Sequence, residues 1–187
     1  KSRHGGYTCA EAMLDITYIK ALASDVQLTD VFQSQHFSIQ AWAMEIAQMS
    51  DDELPLVHSI SFGEDETELP SVGYMQSVNL EFQKLGLRGV SVLVASGDGG
   101  VWGRTGSLKN HKFSPDFPAS SPYVTAVGGT TLAAAGVLGA ERAWRNSGGG
   151  FSNLFARPAY QDAAVAAYLS SQSKSGTIPD SEYFNRT

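Results

Sequence analysis

"GVSVLVASGD", residues 89–98, decides the fold. Val90, Val92, Leu93 and Val94 form a nearly continuous apolar run. That is the pattern of a parallel strand buried on both faces, not of an antiparallel strand with one wet side. The run ends in "SGDGG", where glycines stop it. Upstream, "LPLVHSISFG" (54–63) is a second β-rich apolar run, closed by Gly63. Between the two lies "SVGYMQSVNLEFQKLG" (71–86), which has helical spacing, Ser71 as a candidate N-cap and Gly86 as a stop. Downstream, "YVTAVGGTTL" (123–132) repeats the strand character more weakly. Strand, helix, strand at this spacing is a βαβ unit, and it predicts an α/β fold built on a parallel sheet.

Working outward, "FSIQAWAMEIAQM" (37–49) places Ile39, Trp42, Ala43 and Ile46 on one helical stripe. Residues 9–24 are predicted to form another helix. It carries Glu11 and Asp15 four apart, on a line that continues through Tyr18 and Leu22. Like charges stacked this way cost a helix a few tenths of a kcal/mol. Their presence on a stripe aimed at apolar packing therefore asks for a function. Toward the other end, "SGGGFSNLFARPAY" (147–160) is a Gly-rich loop, 161–171 a short helix, and the remainder a polar, loop-like tail. No internal repeat, low-complexity tract or linker interrupts the 187 residues, a length that suits one domain.

Hydrophobic residues make up 42% of the chain, and 13 basic against 19 acidic residues give a net charge of −6. This is a globular composition without the basic stripe of a nucleic-acid binder. No apolar run approaches the roughly 18 residues of a membrane span, and the first residues lack the apolar core of a signal peptide. Cys9 is the sole cysteine and has no Cys/His spacing for zinc around it. His4, His36, His58 and His111 are scattered, and each is read as a surface or packing residue.

In an open parallel sheet, ligands gather beyond the carboxyl ends of the strands. Asp98 stands there in "ASGDGG", either facing a substrate or hydrogen-bonding its own turn. "ISFGEDETE" (60–68) leaves another strand end with four acids, of which Glu66 and Glu68 read as solvated. "SGDGG" lacks the lysine and the spacing of a phosphate loop.

"ASGDGG", "FPASSPYVTAVGGTT" (117–131) and "SGGGFSN" (147–153) resemble the sedolisin family of serine-carboxyl peptidases. "VHSISFGEDE" (57–66) and "RPAYQDAAVAAYLSS" (157–171) fit its tripeptidyl-peptidase branch. The resemblance covers most of the chain and identifies residues 1–187 as the N-terminal portion of a sedolisin-type peptidase domain. It implies an α/β, subtilisin-like parallel sheet with helices on both faces, incomplete in this chain, and a lysosomal, vacuolar or secreted location. It also implies roles. Glu11 is the general base for a serine nucleophile, Asp15 orients Glu11, and Asp98 stays protonated and donates to the oxyanion. Ser61, Phe62 and Gly63, with Ala95, Ser96 and Gly97, bind the peptide substrate in strand fashion. A carboxylate works as a base at acid pH, where histidine is already protonated. A carboxyl group can donate to an oxyanion only while it keeps its proton.

The family's Gly-Thr-Ser-Ala-Ser nucleophile stretch is not in these residues, and Ser147 and Ser152 match other parts of its pattern. The family's calcium site belongs to the same absent part, so no cofactor is expected here. Two function classes stay open: a part of an acid-acting peptidase whose serine lies elsewhere, or a non-catalytic, peptidase-derived subunit or scaffold. Either reading expects a partner, the remaining half of the domain or another subunit, to cover a sheet face around Val90, Val92, Val94, Val124 and Val127. Asn185, in "NRT", is a candidate N-glycosylation acceptor.

Overall fold

The computed structural model describes residues 5–31, 38–104, 112–132, 137, 139–176 and 178–184. The chain divides into two compact units, Lys1–Phe37 and Ser38–Thr187. Helix α1 (Gly5–Leu22) belongs to the first. The second contains, in order, α2 (Ile39–Gln48), β1 (Val57–Ile60), β2 (Glu64–Asp65), α3 (Val72–Leu87), β3 (Ser91–Ala95), β4 (Asp116–Phe117), β5 (Thr125–Val127), β6 (Thr130–Leu132), β7 (Glu141–Ala143) and α4 (Asp162–Ser175).

Local chemistry sets the helix ends. The Ser38 and Ser71 hydroxyls accept from the Ala41 and Tyr74 amides, capping α2 and α3. Helix α3 runs one residue past Gly86, and Gly89, at φ +79°, turns the chain into β3. The Arg88 guanidinium donates to the Ala47 and Met49 carbonyls at 3.0 and 2.8 Å, which satisfies the end of α2.

The βαβ prediction holds. Strands β1, β3 and β5 form a parallel sheet in that order, with Ile60 opposite Val94 and Val94 opposite Ala126. Helices α2 and α3 pack against each other, and Ile39, Trp42, Ile46, Met75, Val78, Phe82 and Leu85 form one core with Val90, Val92 and Val94. His58 belongs to this layer as a packing residue. It meets Trp42 edge-on, its Nε2 lies 2.8 Å from the Pro55 carbonyl, and burial lowers its pKa.

The structure differs from the sequence reading in several places. Strand β3 alternates rather than being buried throughout: Val92 and Val94 are buried, whereas Ser91 and Ala95 are exposed. This chain's own helices therefore wall in Val90, Val92 and Val94, so these three need no partner to be covered. The other face, including Val57 and Val127, is exposed. The 123–132 run splits at Gly128 and Gly129, and β6 pairs antiparallel with β7 instead of extending the sheet. Tyr18 and Leu22, expected to be buried, are 63% and 86% exposed. Beyond α4 the described tail is loop-like, as read, but its end is docked. Tyr183 and Phe184 stack on Phe113, and the Phe113 amide donates to the Tyr183 carbonyl.

Candidate functional site

The register of the parallel sheet builds the site. Because Ile60 lies opposite Val94, the segments that follow, 61–63 and 95–97, leave adjacent strands at the same end. The fold thus brings Ser61, Phe62, Gly63, Ala95, Ser96, Gly97 and Asp98 together at the carboxyl end of the sheet. Ser61, Phe62, Ala95 and Asp98 are exposed, while Gly63 and Ser96 are buried.

Backbone hydrogen bonds hold this loop in place. The Ser96 amide donates to the Val127 carbonyl at 3.0 Å, the Gly148 amide to Gly97 at 2.7 Å, and the Gly100 amide to Asn146 at 2.9 Å. "SGDGG" is therefore wedged between the end of β5 and the Gly-rich segment 146–150. Ser147 serves this joint: its hydroxyl accepts from the Gly129 amide at 2.9 Å and lies 3.4 Å from the Ser96 hydroxyl. Ser152 is likewise engaged, donating to Glu66 at 2.5 Å.

The acidic loop is the largest correction. Glu66, read as solvated, is buried. Its carboxylate takes the Ser152 hydroxyl and the Asn153 amide, the latter at 2.9 Å. Glu68 is exposed, as expected. Beside Glu66, Asp65 is fully buried and Asp116 is 4% exposed, and the two face each other across the β2–β4 ladder. Their carboxyl groups are hydrogen-bonded, and Asp116 is pushed up to about 7, first by burial and then by that bond. Arg104 opposes the shift, its Nη2 lying 4.0 Å from Asp116 Oδ2. Sequence reasoning missed Asp65, Asp116 and Arg104. The available signal was "SPDFPASSP" (114–122), where an acid interrupts a stretch of small and apolar residues.

Glu11 and Asp15 lie one turn apart on α1, as predicted, with Glu11 exposed and Asp15 half-buried. They belong to the first unit, whereas Asp98 and the segments 61–63 and 95–97 belong to the second. Asn185 lies outside the described residues. Among the described residues, no group of three or more His, Cys, Asp or Glu side chains is arranged to hold a metal ion. No helix among them is long and apolar enough to cross a membrane. A cavity of about 420 Å³ is lined by Ser120, Pro122, Thr125, Phe155, Arg157 and Tyr160 among others.

No protein-family model matches the chain. Tripeptidyl-peptidase 1 of Mus musculus is 43% identical over 180 residues, covering 94% of this chain and 31% of that protein. The Homo sapiens protein of the same name is 42% identical over the same span. This chain thus spans about a third of the length of the curated relatives it matches. Among solved structures, Pseudomonas sedolisin, a serine-carboxyl proteinase complexed with two molecules of pseudo-iodotyrostatin, superposes with a TM-score of 0.54 at 29% identity. That match covers 67% of this chain and 37% of that one.

Proposed function

The chain belongs to the sedolisin family of serine-carboxyl peptidases over the part of its relatives that it spans, and from that premise we propose that it supplies the acidic groups of a tripeptidyl-peptidase-like active site. Asp98 is the oxyanion-side acid. In its acid form it donates a hydrogen bond as the substrate carbonyl oxygen gains charge. Glu11 takes the proton from a serine hydroxyl outside these 187 residues, and Asp15 orients Glu11 through a hydrogen bond. The peptide backbone lies between segments 61–63 and 95–97 and pairs with their main chain. The observation that carries this reading is the juxtaposition of those two segments, with exposed Asp98, at the carboxyl end of the sheet.

Work in a lysosomal, vacuolar or secreted acidic compartment is what the family resemblance implies. Carboxylates suit base catalysis at acid pH, where histidine is already protonated.

The test uses the protein that carries this segment together with its serine, a tripeptide-amide reporter and pH near 4. Asp98→Asn is expected to lower kcat by roughly 10²–10³ with KM little changed, and Glu11→Gln by roughly 10²–10⁴. Residues 1–187 alone should turn nothing over. Full activity of both variants would overturn the assignment. A wild-type protein with no turnover would favour a peptidase-derived subunit without catalysis.

A further inference from the structure

The loop from Gly97 to Arg104, which carries Asp98, rests at both ends on the buried Asp65–Asp116 pair. At one end Gly97 has φ +100°, and a Cβ there would overlap the Asp116 carboxyl group. At the other end Gly103 has φ +70°, and a Cβ there would overlap the Asp65 carboxyl group. The next amide, of Arg104, donates to Asp65 Oδ1 at 2.9 Å. Both close approaches need glycine, and both are to carboxyl oxygens. The Ser114 amide on the carbonyl of Val101 and the Glu66 amide on that of Pro115, at 3.0 and 3.1 Å, tie the same loop to β4 and β4 to β2.

We propose that Asp65 and Asp116 form a proton-dependent positioning clamp, which holds the 97–104 loop, and so Asp98, in place only while the pair retains a proton.

A hydrogen bond between two carboxyl groups requires one proton. Without it, two charges face each other in a site with little water to screen them. Asp116 Oδ2 is buried and accepts no hydrogen bond, so an ionised Asp116 has at that oxygen only the more distant Arg104 guanidinium to offset its charge. The charged groups that face Asp116 are Asp65 from β2, Asp98 from the loop itself and Arg104 from the loop's far end. The two acids raise its pKa, and Arg104, 4.0 Å away and itself exposed, lowers it. Burial remains the first cause of the rise, and the balance is a pKa of about 7 against an ordinary 3.8.

The sign follows. Because the folded value is raised, the proton's contribution is complete below about 3.8, declines across the interval and is gone above about 7. Loss of the proton consumes nothing but base from solvent and frees both ends of the loop together. The consequence for catalysis rests on reading Asp98 as the oxyanion-side acid, whereas the clamp itself rests only on the contacts above.

The experiment is amide hydrogen exchange on the full protein without substrate, from pH 4 to 8, corrected for intrinsic exchange. Protection of peptides spanning 97–104 is expected to fall at least about tenfold as pH rises through about 7, while α3 stays protected. Asp116→Asn keeps a neutral polar group in place of the protonated acid and should abolish the step. Asp65→Asn, measured in parallel, should do the same. A step that persists in both variants, or a wild-type loop with no step, would overturn the clamp. Because no turnover is read, a failed clamp and a failed role for Asp98 are told apart.

Discussion

The helix-covered layer and the strand-end loops belong to the same unit, yet different forces hold them. Between α2, α3 and the sheet, Trp42, Phe82, Leu85, Val92 and Val94 exclude water from apolar contacts. At the strand ends, the buried polar groups include Asp65, Glu66, Ser96, Ser114, Asp116 and Ser121. Apolar burial is indifferent to pH and tolerant of small errors in angle. Buried polar groups hold only while each proton and each donor is in place. The comparison teaches that the scaffold and the site of one small unit answer to different perturbations.

Substitutions can break or sharpen that contrast. The largest expected effect is in the layer. Phe82 is wholly enclosed, and Phe82→Ala should cost about 3–5 kcal/mol, read from the denaturant midpoint at both pH 5 and pH 8. An effect confined to one pH would erase the distinction. Next is Gly97→Ala at the strand ends. Its methyl group meets the Asp116 carboxyl group in a backbone conformation that favours glycine, so about 1–3 kcal/mol is expected. It should also perturb exchange in 97–104 without loosening α3. Uniform loosening would show that the loop and the layer are one cooperative block. The smallest effect is expected on the sheet face away from α2 and α3. Val127 is 51% exposed, and Val127→Thr should stay within about 0.5 kcal/mol in residues 1–187. A larger loss there would mean that this face is packed.

The layer was legible in the sequence because its signals are local and periodic. Ser71, the 3.6-residue spacing of α3 and the valines of β3 each declare an element within a dozen residues. The site was legible only where a motif matched a known family: "SGD" pointed to Asp98 and "SFG" to the segment beside it. Asp65 and Asp116 were not legible because their pairing is a property of the β2–β4 ladder, 51 positions apart. Nothing in "GEDE" separates buried Asp65 and Glu66 from exposed Glu64. Gly128 and Gly129 hid the redirection of β6, since a weak apolar run reads the same whether it continues a sheet or leaves it. The exposed stripe of α1 shows the opposite limit: apolar spacing marks which face could be buried, not whether this chain buries it.

The bond from Ser152 to Glu66 joins residues 86 positions apart, and that separation bears on the order of folding. Contacts within 39–95 close short chain loops, so the α2–α3 layer can condense early. The Glu66 joint cannot form until most of the intervening chain is already laid down, because the entropy of closing a long loop must be met first. Refolding should therefore pass through a stage in which β1, β3 and the two helices are assembled while the Glu66–Ser152 joint is still open. Acid-site geometry would be the last feature to appear, and the first to be lost when the chain opens again.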